Sequence, residues 1–159
     1  MQTFLPYADF ERSAKSLDYK RLGKQRVEAM QLIKAIENPD TYGWQHHPIT
    51  NMWRPYKVAL KHYCNVINKE WIEQGYITSI PFYVSPFKED FQMPDWLGYE
   101  PLHSSHRSNL LRKDINFYSK FKWSDNPESG YIWQDKQGLY YEQVVGSNQK
   151  IYLNNKEVQ

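Results

Sequence analysis

The stretch "LDYKRLGKQRVEAMQLIKAI", residues 17–36, has the apolar spacing of a helix that packs on a core. At about 100° per residue, its apolar side chains fall on one stripe of a helical wheel. Arg26 lies inside this stripe and Gln25 borders it, whereas Glu28 points to the opposite side. Because a buried charge is costly unless it is paired, Arg26 indicates either a structural ion pair in the core or a polar cleft. Both alternatives stay open at this point.

Two more helices are predicted, so that three helices form the core. The first helix spans about 18–37 and ends before Pro39; the second spans about 55–75, and the third begins near residue 104. Glu70 falls on the apolar stripe of the second helix. Arg107 and Asp114 fall on that of the third. The structural interpretation pairs Arg26 with Glu70 and Arg107 with Asp114, and the functional one is a cleft where the helices converge.

The C-terminal part has a different pattern. Two β-rich runs flank "DKQG", residues 135–138, and a third lies near "KIYL", residues 150–153. We therefore expect a mainly α, compact, single-domain fold with a three-helix core and a small C-terminal β-hairpin or meander. The helical domain is expected at 1–133, and the β-rich extension, packed on the same domain, at 134–159. The aromatic residues of the 76–102 connection, among them Phe82, Phe87 and Trp96, are expected to be buried over the domain.

Composition narrows the class of protein. The 159 residues are 16% aromatic, carry a net charge of +2 and contain one Cys, which excludes a disordered chain and an internal disulfide. The N-terminus has no signal-peptide pattern and no segment is apolar enough to cross a membrane, so we expect a cytoplasmic protein. His103 and His106 have ligand spacing without a convincing third partner, and we predict no metal site. Basic residues cluster at 12–34 and 106–113, which indicates either a phosphate footprint or two solvated helix faces.

Three motifs together resemble a known family. They are "LDYKRLGKQRVEAMQLIKAI" at 17–36, "GWQHHPITNMW" at 43–53 and "YEPLHSSHRSNLLRKDINFY" at 99–118. In this order they resemble the pyrimidine dimer DNA glycosylase (endonuclease V) family, and in particular its uncharacterised bacterial branch. The resemblance covers about residues 1–133.

The resemblance implies an all-α DNA repair enzyme of a bacterial or phage-infected cell, without metal or organic cofactor. In this family the N-terminal amine attacks the sugar C1′ of a damaged nucleotide, the base leaves, and an imine forms. An α-amine suits this role because it is less basic than a lysine amine, so more of it is neutral at pH 7. A glutamate of the first helix then assists β-elimination, and arginines of the first and third helices hold the bent phosphate backbone. Arg26 matches the arginine of the family's arginine–glutamate motif.

Two positions depart from the family pattern. Val27 stands where the family has its catalytic glutamate, and a step of one residue turns Glu28 about 100° away, toward solvent. We therefore predict that Glu70 supplies the buried carboxylate. At the N-terminus, Met1 is expected to be retained because Gln2 is large, so the candidate amine is that of Met1.

Three hypotheses follow. The first is a DNA glycosylase with AP-lyase activity on damaged or modified pyrimidines in double-stranded DNA, acting as a monomer. The second is a different base- or nucleotide-processing enzyme on the same scaffold, and the third is a non-catalytic DNA-binding module. The predicted catalytic residues are Met1, Gln25, Arg26 and Glu70. The predicted nucleic-acid contacts are Arg21, Lys24, His47, Trp53, His106, Arg107, Arg112 and Lys113. Trp44 and Trp53 are both candidates for stacking on an extruded base, and core packing explains both at least equally well.

Overall fold

The computed structural model describes residues 1–84 and 91–153. Phe87 and the last six residues of the predicted extension lie outside this part. The described chain is mainly helical, with a small antiparallel sheet near its C-terminus, and this confirms the predicted fold class. The helices are α1 Phe10–Ser16, α2 Tyr19–Glu37, α3 Pro48–Trp53, α4 Lys57–Glu73, α5 Glu100–Lys113 and α6 Ile115–Tyr118.

Helix α2 agrees with its predicted bounds, and the other two predicted helices differ at their starts. Helix α4 begins after Pro55 because residues Arg54–Tyr56 form a 3₁₀ turn. Helix α5 begins at Glu100 rather than near residue 104, since Pro101 fits its first turn. The short helices α1 and α3 were not predicted. Asp9 caps α1 through its side chain, and Pro48 opens α3.

Helices α2 and α4 pack against each other and form the centre of the core. Leu22, Ala29 and Ile33 of α2 are buried, as are Leu60 and Ile67 of α4. Gly23 allows the close approach, because a Cβ there would lie 2.9 Å from the ring of Trp71. Of the connection that follows α4, Trp96 is buried as predicted, whereas Phe82 is 47% exposed.

The three strands form a meander in the order β1-β2-β3, as predicted. They are β1 Ile132–Gln134, β2 Tyr140–Gln143 and β3 Lys150–Tyr152, and both pairs are antiparallel. In the register, Trp133 faces Tyr141, and Tyr141 faces Tyr152. Ile132 and Trp133 join the core. Strand β1 thus crosses position 133, where the boundary between helical domain and extension was predicted.

The N-terminal segment, residues 1–6, is extended and crosses α2 and α5. Gln2 to Leu5 are buried, and the backbone N–H groups of Gln2, Phe4 and Leu5 donate to side chains of the helices. The Phe4 N–H donates to Oε1 of Gln25 and the Leu5 N–H to Nδ1 of His106, both at 2.9 Å. An extended segment has no internal partners for these groups, so the helices must supply them.

Both predicted core ion pairs are wrong. The Arg26 guanidinium donates to Thr78 Oγ1 at 2.7 Å and lies 4.5 Å from the ring centre of Trp71. Glu70 instead accepts from Gln74, one turn further along the chain. Helix spacing places a side chain on a face but does not identify its neighbour, and the segment after α4 provides the partner of Arg26.

The Arg107 pairing fails for a similar reason. Arg107 binds Asp125, at 2.8 Å from Nε to Oδ2, and also Glu100. Asp114 caps the short helix α6 by accepting from the Phe117 N–H. The partner of Arg107 thus comes from a loop that the helical wheel does not describe.

Candidate active site

A pocket of about 280 Å³ lies where the N-terminal segment crosses α2. Helix α2 provides one wall, the first residues of the chain another, and Tyr131 and the end of α5 close it. Its lining residues are Met1, Gln2, Phe4, Lys20, Arg21, Lys24, Gln25, Glu28, Lys113 and Tyr131. Residue 1 and a helix-borne carboxylate thus share one cavity.

Glu28 is the carboxylate of this pocket, and the expectation that it faces solvent is wrong. Glu28 is only 8% exposed. Oε2 accepts from the Gln2 N–H at 3.4 Å and from Gln25 Nε2 at 3.1 Å, while Oε1 lies 3.6 Å from Lys24 Nζ. The wheel assumed one buried stripe, but the N-terminal segment covers a second face of α2 and encloses Glu28 there.

Gln25 fixes the N-terminal segment against α2. Its Nε2 donates to the Gln2 carbonyl at 2.9 Å, and its Oε1 accepts from the Phe4 N–H and from the Tyr63 hydroxyl, each at 2.9 Å. The Tyr63 hydroxyl also donates to the Phe4 carbonyl. Burial, and next the charge of Glu28, raise the pKa of Tyr63, so it remains a neutral donor. Gln25 therefore positions the first residues relative to Glu28.

Cations surround the pocket. Lys20, Arg21, Lys24 and Lys113 all line it, and Arg21 is held by Asp18 at 3.2 Å. Burial lowers the pKa of Lys113, and the positive charges of Arg21, Lys24 and Arg112 lower it further. Such mutual repulsion indicates a local excess of positive charge, which suits phosphate groups.

Gln2 offers a hydrogen-bond donor beside the pocket. Its side chain is buried, and Oε1 accepts from the Thr3 N–H at 2.9 Å. Within residues 1–84 and 91–153, no group accepts a hydrogen bond from its Nε2. A buried polar group without a partner is uncommon in proteins. The Gln2 amide therefore has an unused donor in a residue that lines the pocket.

His47 is a half-buried histidine that directly precedes α3. Its Nδ1 accepts from the Ile49 N–H at 3.1 Å and so caps α3. Burial lowers the pKa of His47 to about 4, and the positive charge of the N-terminal amine contributes. His47 is therefore neutral at pH 7.

The sequence matches a known family over the part of the chain that builds most of this pocket. The model of the family described as pyrimidine dimer DNA glycosylase matches residues 1–84, which is more than half of the chain. The chain belongs to the pyrimidine dimer DNA glycosylase family. No curated protein and no solved structure matches it. Membership supports a function of the DNA glycosylase kind in DNA repair, with DNA as the substrate.

For this glycosylase family member, the pocket brings together some predicted site residues and separates others. Met1, Gln25, Arg21, Lys24 and Lys113 all line it. The predicted catalytic residues Arg26 and Glu70 do not. Arg26 packs on Trp71, and Glu70 lines a different, smaller hollow with Glu11 and Lys15.

Trp53 and His106 were predicted to contact DNA, and their burial contradicts this. Trp53 is fully buried, and its Nε1 donates to Thr3 Oγ1 at 2.9 Å. His106 is 3% exposed and accepts from the Leu5 N–H. Both residues hold the N-terminal segment through these hydrogen bonds, so their role near the pocket is structural.

The two arginines of α5 predicted to contact DNA are bound to the protein itself. Arg107 donates to Asp125, to Glu100 and, at 2.8 Å, to the Pro6 carbonyl. Arg112 is exposed and donates to the carbonyls of Pro127 and Ser129. For Arg107, with its side chain only 12% exposed, these contacts leave little of the guanidinium for a phosphate.

Sequence reasoning missed Glu28 and Tyr131. Glu28 follows Gln25 by three residues, the spacing of neighbours on one helix face, and this was the available signal. The sequence contains no corresponding signal for Tyr131, because only the fold brings it near Phe4, at 6.2 Å between ring centres. Among the described residues, no three His, Cys, Asp or Glu side chains form a group that could hold a metal ion. No described helix is long and apolar enough to cross a membrane.

Proposed function

We propose that this protein is a DNA glycosylase with AP-lyase activity on damaged or modified pyrimidines in double-stranded DNA. The α-amine of Met1 is the nucleophile and Glu28 is the carboxylate that transfers protons. The protein acts as a monomer in the cytoplasm, without a cofactor.

One observation carries the proposal: Met1 and Glu28 line the same cationic pocket. Gln25 supports their arrangement because it binds both the Gln2 carbonyl and Glu28 Oε2. The cations at the pocket suit the phosphates on either side of one nucleotide. The wall residue Tyr131 offers an aromatic ring to an extruded sugar or base.

The chemistry balances with these groups alone. The neutral amine nitrogen bonds to C1′ as the glycosidic bond breaks; the base leaves with the electron pair and takes the proton that the nitrogen loses. The sugar ring opens at O4′, which takes a proton from water, and leaves an iminium between Met1 and C1′. Glu28 then accepts a proton from C2′, a C2′–C3′ double bond forms, and the C3′–O bond breaks with phosphate as the leaving group. Water finally hydrolyses the imine and restores the amine.

Borohydride trapping tests the nucleophile. The purified protein is incubated with duplex DNA that contains an abasic site or a pyrimidine dimer, and borohydride reduces the imine to a stable amine. We expect a covalent adduct that peptide mapping places on Met1, and no adduct after the N-terminal amine is acetylated. An intact mass and an N-terminal sequence establish that Met1 is present. An adduct on a lysine would overturn the role of Met1.

Glu28→Gln tests the proton acceptor. The amide keeps an oxygen that can accept from the Gln2 N–H but cannot take a proton, so strand nicking should fall by about 10² to 10⁴-fold. Trapping should persist, because the imine forms before this step. Glu70→Gln is the matched control, and it should nick DNA like the wild type. Loss of nicking with Glu70→Gln and not with Glu28→Gln would restore the prediction made from sequence.

The same assays separate the two other hypotheses. Binding to DNA without base release or trapping would indicate a DNA-binding module. Absence of DNA binding with the pocket cations intact would favour another base- or nucleotide-processing enzyme.

A further inference from the structure

The loop at 38–47, between α2 and α3, holds Trp44 in an unusual state. Its φ is 69°, in the left-handed region that bulky side chains seldom adopt. The residue is 49% exposed, although tryptophan is usually largely buried. The loop therefore presents a large aromatic surface to solvent at a cost in backbone energy.

Neighbouring side chains fix this conformation. Gln45 Nε2 donates to the carbonyls of Ala35 and Tyr42, at 2.7 and 3.0 Å. Arg54 Nη2 donates to the Gln45 carbonyl at 3.0 Å, and the His47 N–H to the Trp44 carbonyl at 3.3 Å. Gln45, which directly follows Trp44, is thus bound to helix α2, to Tyr42 and to the turn before α4. Strain that the surroundings maintain in this way is characteristic of functional positions.

A row of aromatic rings connects Trp44 with the pocket. The indole packs edge-on against His47 at 5.7 Å, and His47 packs against Trp133 at 5.6 Å. Trp133 in turn lies 5.5 Å from Tyr131, which forms the pocket wall. Trp44 therefore lies at the exposed end of a row of ring contacts that begins at the candidate active site.

The surroundings of Trp44 suit a polyanion. The hollow next to it is lined by Gln45 and His46 and by the cations Arg54 and Lys136. At the other end of the row, the pocket presents Lys20, Arg21, Lys24 and Lys113. Positive charge at both ends of the row matches a strand whose phosphates flank a base stack.

We propose that Trp44 stacks on a DNA base next to the nucleotide that enters the pocket, and so holds the duplex open there. This inference rests on the proposed function. A nucleotide that leaves the duplex removes stacking from its neighbours, and an inserted aromatic side chain restores part of it. A rigidly held indole suits this role, because no loop order is lost on binding.

Trp44→Gly and Trp44→Phe test this inference. Glycine adopts positive φ without strain, so Trp44→Gly should keep the melting temperature while it removes the ring. Trp44→Phe retains a ring that can stack. Tyr76→Ala is the matched control: Tyr76 is also a half-exposed aromatic residue, but it packs on Trp71 rather than in the row from the pocket.

The substrate is a duplex with a stable abasic analogue and 2-aminopurine in the opposite strand, whose fluorescence rises when the base unstacks. We expect Trp44→Gly to bind this duplex about tenfold more weakly, which equals about 1.4 kcal/mol, and to lose most of the fluorescence change. Its affinity for intact duplex should not change, and Trp44→Phe should recover most of both signals.

Wild-type affinity and fluorescence in Trp44→Gly would overturn the inference, as would equal losses in Tyr76→Ala. Both of these results leave the proposed function intact. If the wild-type protein binds neither duplex, the proposed function and this inference fail together.

Discussion

Single side chains of α5 hold the N-terminal segment in place, and their protonation state matters for it. His106 Nδ1 accepts from the Leu5 N–H at 2.9 Å, and only an unprotonated nitrogen can accept. His103 holds the same residue from its other side: its Nε2 accepts from the Gly98 N–H, so its Nδ1 carries the proton and donates to the Leu5 carbonyl at 2.7 Å. Two neutral histidines thus fix Leu5 and, through it, the residues that line the pocket.

The free energy of unfolding should fall in mild acid because of His106. Burial, and then electrostatic interactions with His103 and Arg107, lower the pKa of His106 to about 3 from an ordinary 6.5. A depressed folded-state pKa means that the stabilisation is present above pH 6.5 and is lost as the pH falls toward 3. Between pH 7 and 4.5 this residue alone should account for about 2 to 3 kcal/mol.

Urea unfolding at both pH values checks this prediction in His106→Asn. The asparagine oxygen can accept from the Leu5 N–H and does not titrate, so the variant should lose much less stability between the two pH values than the wild type. His46→Asn, which changes an exposed histidine, should follow the wild type. An unchanged pH dependence in His106→Asn would show that other groups cause the loss.

At the scale of elements, periodic patterns in the sequence predict the helices and strands. They do not predict which segments pack across a helix. The period of residues 17–36 gave α2 nearly to the residue, and the alternation of the tail gave the meander. The burial of Glu28 was not predicted, because residues 1–6 form a short segment without a periodic pattern. Nothing in their sequence indicates that they pack across α2. The same holds for Arg26, whose partners Trp71 and Thr78 follow from the packing of α4 and the segment after it.

The sheet carries Tyr131 to the pocket, and Gly130 is its most sensitive position. A Cβ at residue 130 would lie 1.8 Å from the Gln143 carbonyl oxygen. The backbone can make room for a Cβ only if residue 130 moves away from β2. This movement would break two hydrogen bonds, from the Gly130 N–H to Glu142 and from the Gln143 N–H to the Tyr131 carbonyl. Gly130→Ala should therefore lower the melting temperature and also weaken catalysis, because Tyr131 moves.

Thermal unfolding and nicking rates of Gly130→Ala are compared with those of Gly43→Ala. A Cβ at Gly43 meets nothing within 4 Å, so this control should behave like the wild type. We expect a loss of about 2 kcal/mol or more for Gly130→Ala, as for other severe steric insertions. Wild-type stability in this variant would mean that β1 and β2 separate at little cost.

At the scale of the whole molecule, charge placement matters more than net charge. A net charge of +2 does not by itself indicate a DNA-binding protein. The fold concentrates Lys20, Arg21, Lys24 and Lys113 around one pocket. Burial, and next the positive charges of Arg21 and Lys24, lower the pKa of Lys113. The two basic clusters of the sequence were therefore informative, but only the packing of α5 near α2 combines them into a single surface.

This surface should determine how DNA affinity depends on salt. Each phosphate contact contributes about −0.9 to the slope of log affinity against log salt concentration. Lys20→Ala and Lys113→Ala should each make the slope less steep by up to about this amount, with little effect on the melting temperature. Arg112→Ala should change the slope less, because the Arg112 guanidinium donates to the carbonyls of Pro127 and Ser129.

Lys69→Ala is the control, since Lys69 pairs with Glu73 on α4 at 3.7 Å and is absent from the pocket lining. Fluorescence titrations of a labelled duplex over a range of salt concentrations measure the slopes. If Lys20→Ala and Lys113→Ala keep the wild-type slope, DNA binds at another face, and the pocket would then have to receive its nucleotide without phosphate contacts from these two residues.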